Sequence, residues 1–133
     1  MENIDHTRTK IKSPQTNGIV ERFHKTCSMR DAFERYATPD LVEHRADIAG
    51  GTRDAAIAFL RDLIARFPAP KWKIVRSAAE GELVFLHVHV IPAPSEHGVA
   101  IVEIFRVRNG KIVEQWDVIQ PVPEKPVNSN SMF

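Results

Sequence analysis

Two runs of mostly β-branched residues, Val99–Val107 and Lys111–Gln120, flank Arg108-Asn109-Gly110. Apolar and polar positions alternating around an Asn-Gly pair predict a β-hairpin. The loop reads as residues 108–110, with Gly110 in the left-handed conformation that a bulged turn requires. That register sets Val107 opposite Lys111 and Glu103 opposite Gln115. Side chains alternate faces along a strand. One face then carries Ile101, Glu103, Phe105, Gln115, Asp117 and Ile119, and the other carries Val102, Ile104, Arg106, Ile112, Glu114, Trp116 and Val118. Upstream, residues 72–79 and 82–91 predict two further strands joined by a turn at Glu80-Gly81. The prolines of 92–98 mark a loop.

The helical signals come earlier in the chain. Thr52 caps a helix that runs to Phe67, with Ala56, Phe59, Leu60, Leu63, Ile64 and Phe67 in a stripe at three-four spacing. The stripe is expected to lie against the sheet as core, and Pro68 and Pro70 end the helix. Ser28, with Asp31 three residues on, opens a shorter helix to about Ala37 that buries Ala32, Phe33 and Tyr36. Pro39 stops that helix or opens a short following turn, and Leu41–His44 is a short strand. Thr16 or Asn17 caps a helix through residue 26 whose one side holds Ile19, Val20 and Phe23. Residues 1–13 lack periodicity and read as an arm. Helices first and strands afterwards give an α+β fold, a cone-shaped curved antiparallel sheet wrapped around N-terminal helices.

Composition narrows the classes. The 133 residues suit a single domain, and 43% hydrophobic residues can fill a small core. Eighteen basic against seventeen acidic residues leave a net charge of +1, which points to neither nucleic acid nor an anionic membrane. The lone Cys27 excludes an intrachain disulfide and a cysteine metal cluster. No apolar run approaches the roughly 20 residues of a membrane span. The start of the chain is polar and charged, unlike a secretory signal, so a cytoplasmic protein is expected.

Candidate chemistry gathers on the hairpin. Glu103 and Asp117 share a face with apolar neighbours, and burying an acid among such groups marks a site. His87 and His89, at i and i+2, point the same way. With a nearly symmetric register across the 92–98 loop, His87 falls close to Glu103. One surface then holds His87, His89, Glu103, Gln115 and Asp117, walled by Phe85, Phe105 and Ile119. A desolvated carboxylate has a raised proton affinity and can remove a proton α to a carbonyl. In this reading Asp117 is the base or acid, and a histidine or a protonated Glu103 donates to the developing enolate. Other readings stand beside it. Asp117 pairs with Arg76 or Arg106 at the rim, or Glu103 and a histidine form a satisfied buried pair. His87, His89, Glu103 and Asp117 also supply enough donors for zinc or iron(II), although two histidines at i, i+2 are a weak metal signal. The main expectation is chemistry with no metal and no cofactor.

Lys111-Ile-Val-Glu-Gln-Trp-Asp-Val-Ile-Gln120, within residues 110–124, and the tail Asn128–Phe133 resemble the SnoaL-like polyketide cyclase group. That group belongs to the nuclear-transport-factor-2-like superfamily, with ketosteroid isomerase among its relatives, and the resemblance runs over about residues 28–133. It implies a pocket on the concave sheet face. It also implies that Glu103 stands where the isomerase keeps a pocket acid, and that Asp117 matches the acid-base aspartate of the cyclases. His44 matches the end of a short strand that in the family closes on His-Asn-Pro, here His44-Arg45-Ala46, and it either lines the pocket or caps a turn. The implied substrate is a small, mainly apolar, carbonyl-bearing molecule. The alternative is a non-catalytic protein that binds a small hydrophobic ligand. The resemblance further implies a homodimer through the outer sheet face, where Val102, Ile104, Trp116 and Val118 would leave an apolar patch. Residues 6–26 are similar to the last catalytic motif of insertion-sequence transposases, with Glu21 at the position of a metal-binding carboxylate. The two partner aspartates of that chemistry have no room upstream. The expectation is a fused fragment that supplies an arm and the first helix of one domain spanning 1–133.

Overall fold

The computed structural model describes residues 19, 20, 22, 23 and 28–133. The arm expected over 1–13 and the cap at Thr16 or Asn17 lie outside the described residues. Ile19, Val20, Arg22 and Phe23 are helical, and Ile19, Val20 and Phe23 are buried. The expected stripe therefore packs inward. Phe23 meets Phe33 edge-on at 4.9 Å and Phe105 at 6.0 Å, which ties the start of the described chain to the sheet.

Helix α1 spans Met29–Tyr36, and its Ser28 hydroxyl accepts from the Asp31 N–H. It ends at Ala37, where strand β1 (Ala37–Glu43) already begins. Pro39 thus sits inside a strand rather than stopping a helix. The register against the neighbouring strand shifts between Ala37 and Val42, which accommodates a residue with no N–H to donate. Helix α2 (Arg53–Arg66) comes next, capped by Thr52, whose hydroxyl accepts from the Ala55 N–H at 3.2 Å. Four strands complete the chain: β2 (Lys71–Glu80), β3 (Leu83–Ile91), β4 (Val99–Arg108) and β5 (Lys111–Pro121). The sheet order is β1-β5-β4-β3-β2. Consecutive strands from β2 to β5 pair antiparallel, whereas β1 pairs parallel with β5, so the sheet is mixed.

Two registers differ from the sequence reading. Arg108 pairs with Lys111, so the hairpin loop is Asn109-Gly110 alone, with φ of 51° and 75°. Two consecutive positive φ values make the turn whose twist matches paired strands. A bulge between Arg106 and Val107 then leaves Val113 as the extra residue on β5. Ile112 thereby moves to the concave face beside Val107, and Glu103 comes opposite Asp117.

The second difference matters more. Leu86, not His87, pairs with Glu103. A one-residue slip sends every side chain of a strand to the other face. Val84, Leu86, Val88 and Val90 therefore face inward with Glu103, and Phe85, His87 and His89 face outward. Val84, Leu86 and Val88 are almost completely buried. Sinking those aliphatic side chains is favoured over sinking two imidazoles.

Gly98 holds this register. Its φ is 82°, and a Cβ there would lie 2.1 Å from the Val90 carbonyl oxygen. Its own carbonyl accepts from the Val122 N–H at 3.0 Å, so the backbone has no slack on either side. Gly98→Ala is expected to lower the unfolding free energy by roughly 2 kcal/mol or more. Urea denaturation checks this, and an unchanged midpoint would show that β3 and β4 do not need the close approach.

Candidate functional site

The concave face of the sheet and helix α2 enclose a cavity of about 270 Å³. Phe59, Leu60, Leu63, Ile64 and Phe67 line it from the helix side. The α2 stripe is therefore the roof of a cavity rather than a sealed layer of core. Polar and charged side chains on the sheet beneath it oppose full collapse of the helix onto that face. Trp72 and Ile119 also line the cavity and are 40% and 37% exposed, which sets them at its mouth.

The polar residues of the cavity are Glu43, Arg45, Glu103, Gln115 and Asp117. Three strands bring them together. Glu103 and Asp117 are directly paired across β4 and β5. Gln115 lies two residues before Asp117 on the same face, and the parallel pairing of β1 places Glu43 beside Gln115. The His44 N–H donates to the Gln115 carbonyl at 2.9 Å and fixes the end of β1. The chain then turns back. The Glu43 N–H donates to the Gly51 carbonyl at 2.9 Å, and a Cβ at Gly51 would stand 2.8 Å from the Glu43 oxygen. This tight return leads Arg45 over the cavity. The Arg45 N–H donates to Glu43 Oε1 at 3.0 Å. Its guanidinium donates to Asp117 Oδ2 at 3.1 Å and grips both carboxylate oxygens of Asp47, at 2.6 and 3.1 Å. The same guanidinium lies 4.7 Å from the centre of the Phe59 ring. Three of a guanidinium's five N–H donors are engaged in this way.

Among the nine residues singled out from sequence, Asp117, Glu103, Gln115 and Ile119 line the cavity. Phe105 is fully buried and packs on Phe23, in the core rather than on the cavity wall. The β3 register excludes Phe85, His87 and His89, which lie on the outer face. There the Phe133 ring stacks on His89 at 3.9 Å and on His87 at 5.5 Å. His44 is excluded as well. It stacks on Trp116 at 4.7 Å, and its Nε2 meets Glu114 Oε2 at 2.8 Å on the outer side. The metal set of His87, His89, Glu103 and Asp117 is split between two faces and cannot converge. Among the described residues no three His, Cys, Asp or Glu side chains are grouped to hold a metal ion. The rim partner of Asp117 is Arg45, in place of Arg76 or Arg106.

Glu43 and Arg45 were not read as site residues from the sequence. Glu43-x-Arg45 at the end of a strand was the available signal, since i and i+2 share a face. It was obscured because Arg45 replaces the expected turn residue.

Burial raises the proton affinity of Asp117 above the ordinary aspartate range; Arg45 opposes the shift, and the charge of Glu103 adds to it. Glu43 is raised chiefly by burial as well, against the N–H of Arg45 that stabilises its anion. Both acids therefore hold a proton more tightly in the folded chain than in the unfolded one. Their contribution to stability is full below the ordinary carboxylate range and is lost as pH rises through the folded values. Replacing Asp117 by Asn removes one of these sites. The unfolding free energy of Asp117→Asn is expected to fall less steeply than that of the wild type as pH rises from about 4 towards neutral. Chemical denaturation across that range measures both slopes, and parallel curves would contradict the assignment.

Solved structures share the architecture. The loop-truncation variant of IdmH, whose wild type comes from Streptomyces antibioticus, superposes with a TM-score of 0.62 at 23% identity, over 80% of this chain and 91% of that one. An LEH-like epoxide hydrolase of M. tuberculosis gives 0.63 at 21% identity, over 80% and 83%. An NTF2-like protein of Mesorhizobium loti gives 0.62 at 22% identity, over 85% and 93%. At such identities the likeness is one of fold. No curated protein matches the chain at a significant level. The SnoaL-like domain family matches residues 20–115, a span that includes β1, α2, Glu103 and Gln115. With the cone-shaped sheet and the enclosed cavity, that match assigns the chain to the SnoaL-like domain family.

Proposed function

We propose that this protein takes a small, mainly apolar, carbonyl-bearing molecule into its cavity and moves a proton at the carbon next to the carbonyl. One observation carries the reading. The Asp117 side chain is only 13% exposed in a cavity whose lining is mostly apolar, and its carboxylate is held at 3.1 Å by Arg45. A carboxylate so placed is a stronger base than one in water, and a fixed guanidinium beside it offers charge to an anion formed nearby. Asp117 takes the α-proton, the electron pair of the C–H bond becomes the carbon–carbon double bond of the enolate, and the π pair of the carbonyl moves onto its oxygen. One of the two Arg45 N–H groups left by Asp47 and Asp117 donates to the resulting enolate. Arg45 so takes the role that the sequence suggests for a histidine or a protonated Glu103. Glu103, directly opposite Asp117, disfavours a second full negative charge on the pair and so favours uptake of the α-proton by Asp117. The apolar side chains of α2 hold the body of the substrate and keep water out. No step in this scheme draws on a metal or an organic cofactor.

A purely binding role is the alternative, and the apolar lining of α2 supports it equally. Two wider parts belong to the same proposal. The chain pairs with a second copy through the outer sheet face, which the exposed Val102 and Val118 support. Residues 6–26 descend from a transposase fragment, which the sequence resemblance supports.

Hydrogen-deuterium exchange at the α-carbon of α-tetralone tests the catalytic part. The wild type is expected to exchange the α-protons faster than buffer. Asp117→Asn is expected to lose about 10²–10⁴-fold of that rate while still binding the ketone. A wild type that binds α-tetralone without exchange would leave the binding role; equal rates in both proteins would remove Asp117 from the chemistry.

A further inference from the structure

The Gln115 side chain is an uncharged polar group of the cavity. It is 9% exposed, it lines the cavity, and its Oε1 is buried with no hydrogen-bond partner among the described residues. Leaving a buried carbonyl-type oxygen unmatched costs on the order of 1–3 kcal/mol. Its neighbours do not relieve it. Glu43 beside it, and Asp117 two residues along, contribute acceptors when ionised. The guanidinium of Arg45 is turned to Asp47 and Asp117. A leucine or methionine would fill the same position on β5 without that cost, as Ile119 does four residues on.

We propose that Gln115 is a specificity-determining residue whose Oε1 accepts a hydrogen bond from the ligand. The molecule the cavity takes is then a carbonyl compound that also carries a hydroxyl group, as an alcohol, a phenol or an enol. This rests on the carbonyl reading of the site and deepens it. Residues two apart on one face of a strand stand roughly 7 Å apart at their Cβ atoms. A molecule with its acidic C–H over Asp117 therefore presents its hydroxyl to Gln115 only if the two groups lie on one edge of it, a few bonds apart. An ether at the same place has no proton to give and leaves Oε1 buried and unmatched. The α2 side chains that line the cavity are apolar and give a ligand hydroxyl no partner on that side. Discrimination of this kind is sharper than selection by size, because the penalty falls on the protein atom as well as on the ligand.

The test uses α-tetralones that carry a ring hydroxyl, as a set of positional isomers, each matched with its methyl ether. Affinities are measured by calorimetry for the wild type and for Gln115→Met, which keeps the length of the side chain and removes the acceptor. In the wild type at least one hydroxyl isomer is expected to bind roughly tenfold more tightly than its ether. In Gln115→Met that preference is expected to vanish, chiefly through tighter binding of the ether. The proposal is overturned if no wild-type pair shows a preference, if the preference survives in Gln115→Met, or if neither kind of compound binds. Circular dichroism checks the fold of the variant, and the wild-type comparison decides alone should the variant not fold. Proton exchange on the same compounds separates the two ideas. A hydroxyl preference without exchange supports Gln115 and defeats the acid-base reading, whereas exchange without a preference does the reverse.

Discussion

Side-chain alternation across β3, β4 and β5 allows only one set of neighbours for Glu103 and Asp117. Once Leu86 pairs with Glu103, the aliphatic positions of β3 are the ones that face inward. The two acids then lie opposite each other on the same concave surface. A slip of one residue along β3 would turn Val84, Leu86 and Val88 out to solvent and two imidazoles in. The apolar side chains resist that exchange, and the missing Cβ of Gly98 allows the backbone approach that the actual pairing needs. The composition of the cavity is thus a consequence of strand register, and the acids are buried because the aliphatic side chains of the same face must be.

The concave face is left short of positive charge. Among the described residues, Glu43, Glu103 and Asp117 line one cavity with a single guanidinium, and Arg45 is shared with Asp47 at the surface. Were Asp117 exposed, the contact with Arg45 would hold it as an ordinary anion. Burial outweighs the contact and raises its proton affinity. The outer face handles its charges differently. Glu114 is held below the usual carboxylate range by hydrogen bonds from His44 and Arg106, with water at hand. The same side-chain types thus carry opposite proton affinities on the two sides of one sheet.

The helix caps at Ser28 and Thr52, the stripe on α2 and the four later strands were legible because each is written locally, in spacing or in turn chemistry. The shared face of Glu103 and Asp117 was legible too, since the observed hairpin register differs from the expected one by an even number of residues. The face of His87 and His89 was not. It depends on how the chain returns through residues 92–98, and a loop with prolines does not announce an odd or even return. The alternation in β3 held the answer: Val84, Leu86, Val88 and Val90 form the more apolar of its two sides. Arg45 was hidden for another reason. Its role comes from the parallel pairing of β1 with β5, a contact between residues 72 apart in the chain. No local pattern encodes such a meeting.

Burial makes the Asp117 carboxyl a base of raised proton affinity in spite of Arg45. Side-chain carboxyl NMR, following Asp117 through a pH titration in the wild type and in Arg45→Met, tests it most directly. The midpoint is expected above the ordinary aspartate range in the wild type, displaced further upward once the guanidinium is gone. A wild-type midpoint at or below the ordinary range, or one that does not move when Arg45 is replaced, would contradict it.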